Sequence, residues 1–307
     1  MTERIVRQFE TGYQRTIVTT DAEGNHRWRR WPGQDRTSPA TRPSPSVRRS
    51  LVGLDISGVR TALPIEGPAS GVFYQVPGTQ TAAGLALTAP EGDDLDRLAT
   101  VLTSTARLIR RIQLAAPADV VATPPAGPAR ALAWIRTGRG PRAAADLHRL
   151  LQRSMGDRRW REVMRWCEDL TTPAPEDRLL HGAAGLGQVV LATGSATAAL
   201  MIGEDLARGP ADFDAGWLLG EILELRMIAN AQGRHQVFPN VARAAFLEGL
   251  GRLDDPDRAG RAAIVRMLVH AHDFAAYVGW HRELLVHVDV LPSLIDAGGS
   301  DVLTSAW

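Results

Sequence analysis

The sequence predicts an α+β protein in which a small, strand-rich amino-terminal part precedes a larger, mainly helical part. Short segments of strand composition, separated by turn residues, occupy the chain up to residue 78. From Glu91 onward, apolar residues recur three or four positions apart, which is the spacing of one helical face. A chain of 307 residues that is 44% hydrophobic can bury the cores of two lobes. We therefore predict two domains, residues 1–78 and residues 79–307.

The strands are predicted from composition and from turn residues. Strand composition is found in three early segments: residues 5–9, 16–20 and 26–31. Gly12 and the turn-forming run 21–25 separate these segments and predict hairpins. Residues 71–78 form a further apolar run that ends in Pro-Gly, as a buried strand followed by a turn does. Residues 32–50 are rich in Pro, Ser and Arg, which predicts a loop without a helix.

Helical periodicity is clearest in residues 91–112. Acidic residues lie in the first turn of this segment and arginines in the last, as the helix dipole favours. A linker rich in Pro and Ala follows at residues 115–128. Further helices are predicted at residues 129–137, 142–154, 158–169, 213–228, 240–253, 257–272 and 275–292.

The bulk composition excludes several classes of protein. The formal net charge of +1 gives no reason to expect nucleic-acid binding. The single cysteine, Cys167, excludes an intrachain disulfide and is typical of a reducing compartment. No apolar run is long enough for a membrane span, and the amino terminus lacks the apolar core of a signal peptide. We therefore expect a cytoplasmic protein without a membrane partner.

Three short blocks in the middle of the chain carry a family signal. Residues 181–188 read His-Gly-Ala-Ala-Gly-Leu-Gly-Gln, residues 202–205 read Ile-Gly-Glu-Asp, and residues 209–214 read Gly-Pro-Ala-Asp-Phe-Asp. This order resembles the catalytic segment of the aminoglycoside/choline phosphotransferase family, a branch of the protein-kinase-like fold. In that family the blocks are H-G-D-x-x-x-x-N, then D-x-D or D-x-E, then a buried Asp. The resemblance implies a two-lobed kinase-like fold with a β-rich N-lobe at 1–78 and a helical C-lobe at 79–307.

The positions that would perform the chemistry are substituted in this chain. The resemblance places the general-base Asp at Ala183, the metal-binding Asn at Gln188 and the main metal-binding Asp at Ile202. General acid–base assistance contributes about 10²- to 10⁴-fold to a reaction rate, and an alanine supplies none. Magnesium requires oxygen ligands, and an isoleucine offers none. We therefore predict a degenerate member, a pseudokinase, without catalytic residues at these positions.

Other positions of the motif are retained. The resemblance assigns His181 and Gly182 to bracing the loop, and it assigns Asp214 to holding nearby backbone. Glu204 matches the acidic third position of D-x-E, and Asp205 follows it. The retained positions are those that preserve the fold, whereas the substituted positions are those that perform phosphoryl transfer.

The nucleotide-binding residues of the family are also affected. Every one of the 35 residues in the Lys+Arg total is an arginine, so the chain has no lysine to hold the phosphates of ATP. By the resemblance, Arg29 stands near the lysine position, and residues 71–78 are the last N-lobe strand and the hinge whose backbone reads adenine. Arginine is bulkier than lysine, so this exchange is not conservative at a tight phosphate site.

A cluster of basic and aromatic residues is a candidate partner-binding surface. Its members are Arg27, Trp28, Arg29, Arg30 and Trp31. On a strand, alternation places Trp28 and Arg30 on one face and the other three residues on the opposite face. The first 60 residues contain 11 arginines and 6 acidic residues, so this surface suits an acidic peptide or a phosphate. The alternative is an exposed hairpin in an arginine-rich chain.

Histidines near the carboxyl terminus suggest a metal site at first inspection. They are His270, His272, His281 and His287. On a helix, His270 and His272 project about 200° apart, so they cannot share one ion. The chain has no H-E-x-x-H spacing and no pair of cysteines. We therefore predict surface or capping roles for these histidines, no metal site and no cofactor.

Two functional hypotheses follow. The first is a catalytically inactive, phosphotransferase-like protein that binds or scaffolds a protein or peptide partner. By the resemblance, that partner is a precursor peptide or an intact kinase-like or lyase subunit in the biosynthesis of a modified peptide. The alternative is an enzyme that uses the same cleft for a different nucleotide-dependent transfer or an elimination, with Glu204, Asp205 or His181 as the reacting group. Residual phosphotransfer at a very low rate is a third, lesser hypothesis.

Overall fold

The structure is a computed structural model that describes residues 3–36, 42–67, 71–116, 121–234, 237–299 and 302–303. The strands in these ranges are β1 (Arg4–Glu10), β2 (Gln14–Thr20), β3 (His26–Pro32), β4 (Asp55–Ile56), β5 (Val59–Ala62), β6 (Ile65–Glu66), β7 (Val72–Val76), β8 (Gln80–Thr81), β9 (Arg178–Leu180), β10 (Val189–Leu191), β11 (Ala198–Met201) and β12 (Ala207–Gly209). The α-helices are α1 (Pro45–Leu51), α2 (Ala82–Ala86), α3 (Gly92–Gln113), α4 (Ala126–Thr137), α5 (Ala144–Thr171), α6 (Phe213–Ala231), α7 (Phe238–Leu250), α8 (Pro256–Tyr277) and α9 (Leu284–Asp296).

The small lobe is built on an antiparallel sheet of five strands in the order β1-β2-β3-β7-β6. This sheet confirms the predicted strands at residues 5–9, 16–20, 26–31 and 71–78. Successive residues of each strand face alternately the buried inner side and the outer side of the sheet. Val18 of β2 and Trp28 of β3 pair with each other, and both lie in the interior. The larger lobe is mainly helical, and the predicted two-lobed α+β architecture is therefore confirmed.

A second sheet connects the early chain to the motif region. Its order is β4-β5-β11-β10-β8, and β5 pairs with β11 in parallel although the two strands are far apart in sequence. The hairpin of β10 and β11 lies between residues 181–188 and residues 202–205. A two-stranded ladder of β9 and β12 brackets the same region. The motif blocks are thus held by strand ends on both sides.

The helices follow the predicted periodicity with two differences. Segments 142–154 and 158–169 are one helix, α5, with a break at Gly156, where φ is 66°. The predicted segment 275–292 is wrong at its start, because α8 continues to Tyr277 and α9 begins at Leu284. Within the described residues, no helix is both long and apolar enough to cross a membrane.

The predicted loop at residues 32–50 contains a helix and is wrong in that part. Ser44 accepts the backbone N–H of Val47 with its hydroxyl, and Pro45 occupies the first turn of α1. Val47 and Leu51, four residues apart, bury the inner side of this helix. The cap residue and this single apolar pair were the available signals. Residues 37–41 of the predicted loop and residues 117–120 of the predicted linker lie outside the described residues.

The core of the larger lobe depends on close contact between α6 and α8. Gly216 and Gly220 of α6 face backbone atoms of α8 with no room for a side chain. A Cβ at Gly216 would lie 2.1 Å from the carbonyl oxygen of Ala259, and one at Gly220 would lie 2.4 Å from that of Ala263. The two glycines allow the helices to approach closely, which positions the first turn of α6 and therefore Asp214.

We expect Gly220→Ala to destabilise the protein by about 1–3 kcal/mol, although alanine favours a helix by about 1 kcal/mol over glycine. The reason is the clash of the new methyl group with the backbone of α8. Gly187→Ala is the matched control, because no atom lies within 4 Å of a Cβ at that position. Chemical denaturation of both variants measures the difference, and equal stabilities would contradict the packing described above.

Candidate functional site

The loop that follows β9 is held by the carboxylate of Asp214 in the first turn of α6. One carboxylate oxygen accepts the backbone N–H of His181 at 2.8 Å, and the other accepts that of Gly182 at 2.9 Å. Gly182 has a φ of +84°, and a Cβ there would lie 1.8 Å from the carbonyl oxygen of Asp205. The structure therefore brings these retained motif residues together in one arrangement that braces the loop.

His181 has no free ring nitrogen. Its side chain is buried, and burial lowers the pKa of the imidazole. Its Nε2 lies 2.9 Å from the carbonyl oxygen of Met201, which can only accept, so Nε2 carries the proton. Its Nδ1 then accepts the backbone N–H of Ala183 at 3.3 Å. This neutral imidazole joins the loop to the end of β11 and is not placed to transfer a proton.

The three substituted positions offer none of the expected catalytic chemistry. Ala183 lines the cleft between the lobes and presents only a methyl group. Ile202 is 1% exposed and belongs to the main hydrophobic core. Gln188 does present an amide oxygen, but this oxygen accepts a hydrogen bond from Nη2 of Arg30 at 3.0 Å. The only polar group among the three is thus occupied by the chain itself.

Arg30 of β3 is the centre of the site. Its Nη1 donates to Oε1 of Glu204 at 3.1 Å, and both side chains are almost completely buried. The hydroxyl of Tyr74 donates to the same oxygen at 2.8 Å, and the guanidinium lies 5.4 Å from the centre of the Tyr74 ring. Burial, followed by the Glu204 carboxylate, raises the pKa of Tyr74 well above its ordinary value. The tyrosine therefore stays protonated and remains a donor.

This arrangement does not fit the magnesium–nucleotide complex that the family resemblance implies. Magnesium needs several oxygen ligands in near-octahedral geometry. Ile202 supplies no oxygen, and Arg30 donates to the side-chain oxygen of Gln188 and to Oε1 of Glu204. A guanidinium that is part of the protein already neutralises the Glu204 carboxylate. Residues 188 and 202–204 therefore complement an internal cation.

The expected position of the lysine counterpart is wrong by one residue. Arg29 lies on the outer face of the sheet, where its Nη2 donates to Glu3 at 2.7 Å. Arg30 is the residue that enters the cleft, because alternate residues of a strand project to opposite faces. Sequence alone did not determine which of two adjacent arginines faces inward.

The predicted partner surface is divided between the two faces of β3. Trp28 and Arg30 are 3% and 7% exposed, so the prediction that they contribute to an outer surface is wrong. Arg27 and Arg29 both pair with Glu3 on the outer face, and Arg27 also lies over the ring of Phe73 at 6.0 Å. Together with Trp31, these residues line a surface groove of about 190 Å³, which we call the outer groove.

Trp28 fills the region next to the hinge. Its indole Nε1–H donates to the carbonyl oxygen of Gly78 at 3.1 Å, at the end of the segment that the resemblance assigns to adenine recognition. The ring is buried in a second core, which includes Val18 of β2, Val76 of β7 and Val190 of β10. The side chain thus engages the Gly78 carbonyl of the hinge and fills the apolar space between the two sheets.

The turn between β1 and β2 is fastened to the larger lobe. The backbone N–H of Gly12 donates to the carbonyl oxygen of Tyr277 at 2.9 Å, and the rings of Tyr13 and Tyr277 lie 5.1 Å apart. Arg142 adds a second link, because its Nη1 lies 2.6 Å from Asp35 and 2.8 Å from the carbonyl oxygen of Ala276. These contacts hold the two lobes in a closed arrangement.

Two adjoining cavities of about 250 Å³ and about 200 Å³ remain in the closed cleft. Both are lined by Tyr13, Arg36, Arg130 and Asp205. Arg130 forms a bidentate pair with Asp273, at 3.1 Å and 2.6 Å. The remaining space is therefore small, polar and of mixed charge.

Asp205 is the free carboxylate of this space. Within the described residues, no side-chain hydrogen bond or ion pair to Asp205 is found. Burial, followed by the neighbouring Glu204, raises the pKa of Asp205 above its ordinary value. Tyr13, Arg130 and Asp273 were not identified from the sequence, because they come from three distant elements. The turn residues around Gly12 were the only local signal.

The buried pair of Arg30 and Glu204 gives a prediction with an internal control on the same strand. Arg30→Ala should destabilise the protein by about 3–5 kcal/mol, since it removes one partner of a buried ion pair. Arg29→Ala should change stability by no more than about 1 kcal/mol, because its side chain is 36% exposed. Urea denaturation measures both values, and equal losses for the two variants would show that Arg30 is not the inward residue.

Comparison with known proteins supports the two-lobed fold. No protein-family model and no curated protein matches the chain. Among solved structures, amicoumacin kinase hAmiN in complex with AMP-PNP and Ca²⁺ is 14% identical, with a TM-score of 0.58 over 95% of this chain and 87% of that chain. The GDP and kanamycin complex of APH(2")-IIia is 14% identical, with a TM-score of 0.50 over 98% and 95%. The aminoglycoside phosphotransferase APH(3'')-Id from Streptomyces rimosus is 13% identical, with a TM-score of 0.47 over 87% and 92%. From the first two likenesses and the two-lobed architecture, we conclude that this chain has the kinase-like fold of the aminoglycoside phosphotransferase-like kinases.

Proposed function

We propose that this protein is a non-catalytic, phosphotransferase-like binding subunit. The observation that carries the proposal is the insertion of Arg30 between Gln188 and Glu204. In a phosphotransferase, positioning and electrostatic stabilisation by metal ions supply almost all of the catalysis. Here an arginine of the chain itself takes the place where the family resemblance puts the metal, and Ala183 stands where it puts the base.

Nucleotide binding would require the internal contacts to be broken. A triphosphate with its metal would have to displace Arg30 from Glu204, and breaking a buried ion pair costs about 3–5 kcal/mol. An adenine base at the hinge would have to displace Trp28 from the Gly78 carbonyl and from its apolar surroundings. Both requirements act against the same ligand, so the closed cleft is expected to exclude it.

An extended acidic peptide is the proposed partner. Among the described residues, β1 is an edge strand whose seven residues are all exposed, including Ile5 at 59% and Phe9 at 49%. An exposed edge can accept a further strand through main-chain hydrogen bonds. The arginines and Trp31 of the outer groove add positive charge and aromatic surface on the same sheet. By the family resemblance, the peptide is a precursor that a separate kinase or lyase modifies.

A second candidate function is supported by Asp205. Its raised pKa, its position in both cavities and the absence of a side-chain hydrogen bond to it among the described residues suit a general acid. In this candidate the protein is an enzyme that performs an elimination or another transfer in the small polar cavities. The other two groups considered for such a role are engaged, because Glu204 is held by Arg30 and Tyr74, and both nitrogens of His181 are bonded.

Nucleotide binding separates the two candidates. Titration calorimetry with ATP and magnesium should give no binding heat up to millimolar ATP for the natural chain. Trp28→Ala, checked for folding by circular dichroism, should gain weak binding of adenosine, because it frees the Gly78 carbonyl and the space beside it. Tight, magnesium-dependent binding of ATP by the natural chain would contradict the non-catalytic proposal and favour the enzyme.

Peptide binding tests the proposed partner. A labelled peptide of alternating valine and glutamate should bind with an anisotropy change, and the corresponding valine–lysine peptide should not. Arg29→Glu should weaken the binding severalfold, because it reverses a charge in the outer groove. Arg153→Glu, at an exposed position of α5, is the matched control for net charge and should bind as the natural chain does. Equal binding of the acidic and basic peptides would contradict the proposal.

A further inference from the structure

Three side chains from three helices of the larger lobe converge on one point, and one of them, His270, also lines the larger of the two cleft cavities. Oε1 of Glu224 in α6 lies 2.7 Å from Nδ1 of His270 in α8 and 2.5 Å from Nε2 of His287 in α9. The ligand atoms of the three residues all lie within 4.8 Å of one another. The sequence spacing did not indicate this group, since its members are far apart along the chain.

The environment of the three residues is closed and partly apolar. Glu224 and His287 are 3% and 4% exposed, whereas the side chain of His270 is 43% exposed. His272 projects away from this group, and its Nδ1 contacts Asp273, as the spacing on a helix requires. A buried carboxylate is costly unless a positive charge or hydrogen bonds compensate it. The carboxylate is compensated by the two imidazoles at Oε1 and by the Arg266 guanidinium, which lies 3.6 Å from Oε2.

We propose that Glu224, His270 and His287 form a divalent-metal site that takes zinc. Two imidazole nitrogens and one carboxylate oxygen are a common zinc-binding set in proteins, with a fourth position left for water or another ligand. In this proposal the ion takes the place of the two ring protons that now face Oε1, and each neutral ring then carries its proton on its other nitrogen, Nε2 of His270 and Nδ1 of His287. Each ring then presents a lone pair to the ion, and the carboxylate keeps a positive neighbour.

The distances are compatible with a small adjustment on binding. Tetrahedral zinc with bonds of about 2.0–2.1 Å separates its ligand atoms by roughly 3.3 Å. The two nitrogens would therefore move away from Oε1 by less than about 1 Å each. A cavity of about 60 Å³, lined by His270, His281 and His287, adjoins the group and provides the space. This volume exceeds the space that a single water molecule needs, so a fourth ligand can enter.

His281 and Arg266 define the two sides of the proposed site. His281 lies in the segment between α8 and α9 and lines the same cavity, but it is not among the three residues whose ligand atoms lie within 4.8 Å of one another. Nη1 of Arg266 lies 3.6 Å from the other oxygen of Glu224, Oε2, and leaves Oε1 directed toward the histidines. The side chain of Arg266 is only 14% exposed. Bound zinc would join α6, α8 and α9 at one point.

The test uses the whole chain, produced without added histidines and dialysed against a chelator. Calorimetric titration with zinc chloride should show one ion per chain, and zinc should raise the melting temperature, since a ligand of the folded state stabilises it. Titration with Co²⁺ should give the visible absorption of a four-coordinate site. If the three residues form only a hydrogen-bonded cluster, zinc will neither bind at one per chain nor raise the melting temperature, and the proposal is overturned.

Variants assign the site to these residues. His270→Ala and Glu224→Gln should each weaken zinc binding by more than about tenfold. His26→Asn is the matched control, because His26 is on the small-lobe sheet and contacts Thr20. If Glu224→Gln fails to fold, His270→Ala decides the question, since its side chain is partly exposed. Unchanged zinc affinity in His270→Ala would overturn the assignment.

Discussion

The ion pair between Arg30 and Glu204 joins the sheet of the small lobe to the loop after β11, and the arrangement of the cleft depends on it. The guanidinium also binds Gln188 and lies against the ring of Tyr74, so four elements meet at one positive charge. A bound metal ion could be gained and lost, whereas this charge belongs to the chain. The Glu204 carboxylate therefore has a counter-charge that belongs to the fold, and Arg30 holds Gln188 and Glu204 in place.

Other contacts also hold the cleft closed. Trp28 closes the hinge side, and the turn at Gly12 and Tyr13 is bonded to the end of α8. The loop at 181–182 is braced by Asp214, and the position after it is Ala183. The hydrogen bonds that brace the loop are thus retained. Within the described residues, the space left for a ligand or partner in this lobe and cleft is in the small cavities beside Asp205 and in the outer groove.

The sequence predicted the parts of this structure that depend on local pattern. The hairpins around Gly12 and residues 21–25 and the long helix α3 follow from turn residues and periodicity, and all three were confirmed. The order of the motif blocks predicted the two-lobed fold. Helix α1 was missed, because a seven-residue helix has too few turns to show periodicity and its cap at Ser44 was the main signal.

The failures concern contacts between distant residues. The choice between Arg29 and Arg30 depends on strand register, and the burial of Trp28 depends on a carbonyl fifty residues away. The parallel pairing of β5 with β11 has no local signature at all. The meeting of Glu224, His270 and His287 depends on how three helices pack, which neither spacing nor composition specifies.

A crystal structure of the protein grown with millimolar ATP and magnesium tests the central claim most directly. If the chain's own side chains fill the cleft, the crystal will show Arg30 between Gln188 and Glu204 and the indole of Trp28 hydrogen-bonded to the Gly78 carbonyl. It will show no ordered nucleotide between the lobes. An adenine base at the hinge, with Trp28 displaced and a metal ion bound to Glu204, would contradict it.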